Sequence, residues 1–227
     1  MTCLSCGMVT TKKGGLLVKK KVNVFIDIDN TIYNSTKVAV DELNKRYNRN
    51  IKYTDIKAYD FTDQFPEVKQ SEIKEIFSNE NFYKRLDCID GTAFMFIDIL
   101  STQQKIDVSF VTLGTKENLE NKKEWLDYIL KSKDFFDHEV DYYEYYGSLS
   151  SASNKSFIDM SGGIFIDDNI DCLRSSNASI KILIKNGVDT KWNNVEPGDN
   201  VYIADDWGDI IKIVGFFINN KEMIAWE

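Results

Sequence analysis

Apolar and polar positions along the chain change period several times, and each change marks an element. The run Val22-Asn-Val-Phe-Ile-Asp-Ile28 is short, β-branched and almost continuously apolar, which predicts a strand buried on both faces of a parallel sheet. It ends in acid, with Asp27 and Asp29. Val38, Leu43 and Tyr47 then recur at helical spacing between Thr36 and Tyr47, and a second helix is predicted from Gln70 to Phe77. Between them runs an aromatic segment, Tyr53 to Phe65, closed by Pro66. From Thr92 to Gln104 the pattern predicts a helix, from Ile106 to Thr112 a strand, and from Lys116 to Lys131 a helix with Leu119, Trp125, Leu126 and Ile129 as its apolar stripe. A third strand, Ile164-Phe-Ile166, runs into Asp167 and Asp168. Ile180 to Ile184 reads as a fourth, Val201 to Ile203 as a fifth, and Trp207 to Asn219 as a closing helix.

Strands that alternate with helices predict an α/β doubly wound parallel sheet joined by right-handed crossovers. Residues 34–91 interrupt that alternation and read as a small, mainly helical cap inserted after the first strand, leaving 21–33 and 92–227 as the core. Residues 1–20, with Gly14, Gly15 and several lysines, read as a flexible N-terminal tail. The Tyr-rich stretch Asp141 to Tyr146 is the nearest approach to low complexity and is given no element.

The 227 residues suit one domain with an insertion. No apolar run approaches the roughly 18 residues that span a bilayer, and no signal-peptide core precedes the first strand, so a soluble cytoplasmic protein without membrane partners is expected. A net charge of −8 argues against a long nucleic acid as partner, because such binding relies on displacing counterions with lysine and arginine. A small anion needs only a local pocket. Cys3, Cys6, Cys88 and Cys172 are too few and scattered for a disulfide framework. The Cys3/Cys6 pair lacks further ligands, since the single histidine, His138, has no metal-ligand spacing around it.

In an open parallel sheet, ligands sit beyond the carboxyl ends of the strands. Three predicted strands end in Asp27 and Asp29, in Thr112, and in Asp167 and Asp168. Any one acidic end is an ordinary turn or helix cap. Together they crowd four carboxylates, which calls for a cation, and hard oxygen donors favour Mg²⁺ over zinc. Asp27 and Asp29 are two residues apart, so both side chains point the same way while the strand persists: one to attack, one to exchange protons. Carboxylate attack on phosphorus would pass through an aspartyl phosphate.

These residues resemble a known pattern. Val24-Phe-Ile-Asp-Ile-Asp-Asn-Thr31 is similar to the first motif of the haloacid dehalogenase (HAD) superfamily, Phe110-Val-Thr112 to the second, Lys155 to the third and Ile164-Phe-Ile-Asp-Asp168 to the fourth. Within it, the 5′(3′)-deoxyribonucleotidases are resembled most closely, through Asn81-Phe-Tyr-Lys-Arg-Leu86, Ile89-Asp-Gly91, Thr112-Leu-Gly-Thr-Lys116, Asp167-Asp-Asn169 and Asp205-Asp-Trp207. Leu113 departs from that family's serine and Asp90 from its usual proline, while Asn30 replaces the commoner glycine.

The resemblance implies a magnesium-dependent phosphatase in which Asp27 attacks and binds Mg²⁺, and Asp29 lends its backbone carbonyl to the metal and its side chain to proton transfer. It further implies that Asp167 and Asp168 complete the metal site, with the division of labour open, and that Thr112, Lys155 and Lys116 bind phosphoryl oxygens. The cap would close over the site, with Phe82 and Tyr83 stacking on a nucleobase and Phe61 and Tyr59 as further aromatic candidates; the same rings would equally serve as the core of the cap. The expected partner is a small phosphate ester, foremost a nucleoside monophosphate. Sugar phosphates are the alternative substrate class, and a non-catalytic binding protein the alternative of another class. A homodimer is compatible with the sequence.

Overall fold

A computed structural model describes residues 21–102, 106–132, 143–149 and 154–224. The N-terminal segment and His138 lie outside the described residues. Among those described, six strands form one sheet: β1 (Val22–Ile26), β2 (Ile106–Gly114), β3 (Tyr143–Leu149), β4 (Ile164–Asp167), β5 (Ile180–Ile184) and β6 (Tyr202–Ala204). Their order is β3-β2-β1-β4-β5-β6 and every pairing is parallel, so the doubly wound α/β expectation holds. The direction of winding reverses between β1 and β4, and a cleft opens there at the strands' carboxyl ends.

Alternation along each strand sorts the core into two layers. Val24 and Ile26 of β1, Val108 and Phe110 of β2, Ile164 and Ile166 of β4, and Ile182 and Ile184 of β5 face one side. They share a core with α3 (Gly91–Thr102), α4 (Lys116–Lys131) and α6 (Trp207–Ile224). Phe25, Val111, Phe165 and Leu183 face the other side, covered by Ile170, Cys172 and Leu173 of the short helix α5 (Ile170–Ser175). Burial of both faces explains why β1 and β4 read as continuous apolar runs. Among the described residues no helix is long and apolar enough to cross a membrane.

Between β1 and α3 the chain builds α1 (Ser35–Tyr47), α2 (Gln70–Phe77) and several 3₁₀ turns. Ile56, Phe61, Phe65, Ile73, Ile76, Phe82 and Tyr83 of this segment join the same core as β1 and α4. Three differences from the sequence reading stand out. β3 occupies the tyrosine-rich stretch and lies at a sheet edge beside β2, so the strand at Ile164 is the fourth and not the third. α5 follows β4 directly, its start capped by the Asn169 side chain, which accepts from the Asp171 and Cys172 amides. α6 runs on past Asn219 to Ile224.

Candidate active site

β1 and β4 are neighbours, so the residues just past their ends meet. The Asp27 amide donates to the Ile166 carbonyl at 2.9 Å, which carries the pairing one step beyond β1 and fixes where the Asp27 side chain emerges. Asp27, Asp167 and Asp168 are all buried, and one oxygen from each lies within 4.8 Å of the others. Lys155, in the connection leading to β4, reaches into this cluster and bridges Asp27 and Asp167, the latter at 2.7 Å. The second Asp167 oxygen accepts from the Asn169 amide at 2.8 Å, and the Trp192 indole donates to Asp168 at 2.8 Å.

Electrostatics follow from this geometry. Burial disfavours the charge on Lys155, but the carboxylates of Asp167 and Asp27 outweigh it and hold the ammonium above the ordinary lysine range. Burial pushes Asp167 up despite Lys155, with Asp27 adding to the rise; burial and then the negative charge of Asp167 raise Asp168 strongly.

Asp29 forms a second, adjoining group. Its Oδ2 pairs with Lys122 at 2.6 Å, and its Oδ1 accepts from the Tyr83 hydroxyl at 2.9 Å. Lys122, fully buried on α4, also donates to Thr112 Oγ1 and to the Leu113 carbonyl, each at 2.8 Å. Thr112, two residues before the end of β2, is thereby tied to Asp29 through one ammonium. With every carboxylate ionised, as a bound cation would favour, Asp27, Asp29, Asp167 and Asp168 against Lys122 and Lys155 leave an excess of two negative charges, all on oxygen donors. That balance and donor set suit a hard divalent cation.

The structure brings Asp27, Asp29, Thr112, Lys155, Asp167 and Asp168 together, leaves Lys116 outside that group and buries three of the four aromatic candidates, the core alternative for those rings. Lys116 is the first residue of α4 and points to solvent near Glu120, with 78% of its side chain exposed, whereas Lys122 of the same helix reaches Asp29 and Thr112. Phe82 and Phe61 are core residues: Phe82 packs on Phe77 and Tyr33, and Phe61 on Phe77. Tyr83 is equally buried and turns its hydroxyl to Asp29 in place of offering its ring to a ligand. Tyr59 alone of the four aromatic candidates is exposed, at 69%, and it meets Trp192 edge-on at 5.6 Å. Burial of its hydroxyl, then the charges of Asp29, Asp168 and Asp27, raise its pKa, and Trp192 links it to Asp168.

Lys122 and Trp192 are the site residues that sequence reasoning missed. Lys122 had a signal: with Asn118, Trp125, Leu126 and Ile129 it falls on the buried face of α4, where an unpaired lysine would be costly. Trp192 had none, since its partner Asp168 is 24 residues away.

No family model matches the sequence, and no curated protein matches it significantly. Solved structures do match. A candidate phosphatase from Clostridium difficile superposes with a TM-score of 0.53 at 13% identity, over 86% of this chain and 99% of that one. The chain has the haloacid dehalogenase fold. A conserved haloacid dehalogenase-like protein of unknown function from Agrobacterium tumefaciens agrees, with a TM-score of 0.52 at 8% identity over 87% of this chain and 99% of that one. At such identities the likeness is one of HAD architecture, and chemistry has to be argued from the residues in place.

Proposed function

We propose that the chain is a magnesium-dependent phosphomonoester hydrolase whose preferred substrates are nucleoside monophosphates. The observation that carries this reading is the meeting of Asp27 with Asp167, Asp168 and Lys155 at the switch between β1 and β4. Asp27 is the nucleophile: its carboxylate attacks phosphorus, and the resulting aspartyl phosphate divides one hard displacement into two easier ones. Asp27, the Asp29 carbonyl and the Asp167/Asp168 pair would hold magnesium, which when bound would supply positive charge to offset that of the phosphoryl group. Lys155 and Thr112 provide donors for the phosphoryl oxygens, with Lys122 holding Thr112 and Asp29 in place, so little reorganisation is needed as charge spreads over the transferring group. Asp29 gives a proton to the departing oxygen and later takes one from the water that hydrolyses the intermediate, a shuttle worth about 10² to 10⁴ in rate.

The nucleotide preference rests on Tyr59. Its exposed ring packs edge-on against Trp192, whose indole holds Asp168, and offers a flat apolar surface to a base leaving the site with its sugar. The test is phosphate release from a panel of ribo- and deoxynucleoside monophosphates and sugar phosphates, with magnesium and with chelator. Metal-dependent release favouring nucleotides is expected. Equal or faster release from sugar phosphates would overturn the substrate class, and no release from any ester would overturn the hydrolase reading.

A further inference from the structure

We infer that Tyr83, anchored by Asn118, is the positioning residue that holds the Asp29 carboxylate in register for proton transfer; the inference rests on the hydrolase reading above. Asp29 is the least buried of the four carboxylates, with 20% of its side chain exposed, and it follows the end of β1, just before Asn30 in a left-handed turn. Lys122 grips one oxygen only, and an ammonium is a pivot about which a carboxylate can still swing. The Tyr83 hydroxyl on the other oxygen removes that freedom and fixes the carboxylate plane.

The hydroxyl is itself fixed in position and in direction. Its ring is clamped by Tyr33 and Phe82, both at 5.0 Å, and by Trp125 at 5.7 Å. Asn118, buried on α4, donates from Nδ2 to the Phe77 carbonyl at 2.6 Å and to the Tyr83 oxygen at 3.0 Å. A carbonyl only accepts, so the amide orientation is set, and the single Tyr83 proton is left for Asp29. Each Asp29 oxygen keeps a further lone pair for the proton it must exchange. Tyr83 comes from the segment between β1 and α3, and Asn118 from the helix after β2. The chain of bonds therefore ties the insertion to the proposed acid and base.

The experiment is a double-mutant cycle of Tyr83→Phe with Asp29→Asn, read as kcat and KM for p-nitrophenyl phosphate and one nucleoside monophosphate. Tyr83→Phe keeps every ring contact and loses only the hydroxyl's two hydrogen bonds, so the fold is expected to persist with a thermal midpoint lower by a few degrees. In the wild-type background kcat should fall by about 10- to 100-fold, a part of what the shuttle is worth, with KM and half-saturating magnesium within about twofold. In the Asp29→Asn background the same change should have almost no effect, because the group it positions is gone. Asn118→Leu, which removes the anchor by another route, should follow the same pattern more weakly. Equal losses in both backgrounds, or a loss confined to KM, would overturn the inference while leaving the hydrolase reading intact. Absence of hydrolysis by the wild type would overturn both.

Discussion

Replacing Lys155 by methionine removes one charge and little volume, and its effect can be worked from the geometry. At 2.7 Å from Asp167, a unit-charge pair in an effective dielectric of about 20 gains about 6 kcal/mol before desolvation offsets it. Desolvation takes back most of that, so the intact pair is worth little net. Removing one partner is different, because at about pH 8, where Asp167 is ionised, it strands Asp167 and Asp27 in a buried site, and the expected loss is about 3 to 5 kcal/mol. With a urea slope of about 2 to 3 kcal/mol/M, the unfolding midpoint in chelator should drop by about 1 to 2.5 M. Adding Asp167→Asn to Lys155→Met should restore at least about half of the loss, since the two residues act as one unit. A loss under about 1 kcal/mol, which is the ordinary cost of a point change, or a double variant no more stable than the single one, would refute this account of how the cluster is neutralised.

Further outcomes follow from the same contacts. Lys122→Met should reduce kcat by about 10²-fold or more, the scale of losing one preorganised donor, whereas Lys116→Ala should leave activity within about twofold, as befits a solvated pair; steady-state kinetics that reversed the two would contradict the placement of these lysines. Tyr59→Ala should raise KM about fivefold or more for nucleoside monophosphates, the lower end of what one aromatic stack on a base is worth, and leave KM for glycerol phosphate unchanged. Burial pushes Asp167 up to about 7. The folded state thus holds that proton more tightly than the unfolded chain. The stability it contributes to the metal-free protein is full below about pH 4 and lost as pH rises through about 7. Magnesium competes with the same proton, so the rise in thermal midpoint on adding magnesium should be larger at about pH 8 than at about pH 6; an equal or reversed shift would count against metal binding at Asp167.

Much of the fold was legible because buried strands and amphipathic helices leave opposite signatures. β1, β4 and β5 are apolar on both faces, and α4 begins and ends where Thr115 caps it and its apolar stripe stops. β3 escaped because an edge strand needs no buried face: its residues alternate between exposed and half-buried, and tyrosines hydrogen-bonded at their tips, as Tyr145 is to Leu119 and Tyr143 to Asp127, look like mere composition in the sequence. α5 is too short for a helical period to show. In the site, strand ends announced Asp27, Asp29, Thr112, Asp167 and Asp168. Lys116 draws attention because the first turn of α4 is near the strand end in sequence, while the ammonium that reaches Asp29 rises from the buried face farther along the helix, at Lys122. For Phe82 and Tyr83 ligand surface and cap core stay equal alternatives in the sequence, because composition cannot tell an aromatic core from an aromatic pocket; packing places both rings in the core.

The claim on which the rest depends is that Asp27 takes up the phosphoryl group. Rapid acid quench during turnover with magnesium, followed by peptide mass analysis, tests it directly. The expected result is one added phosphoryl group on the peptide that contains Asp27, absent in chelator and absent in Asp27→Asn. Steady phosphate release by Asp27→Asn, or a phosphoryl group trapped on any other residue, would contradict it.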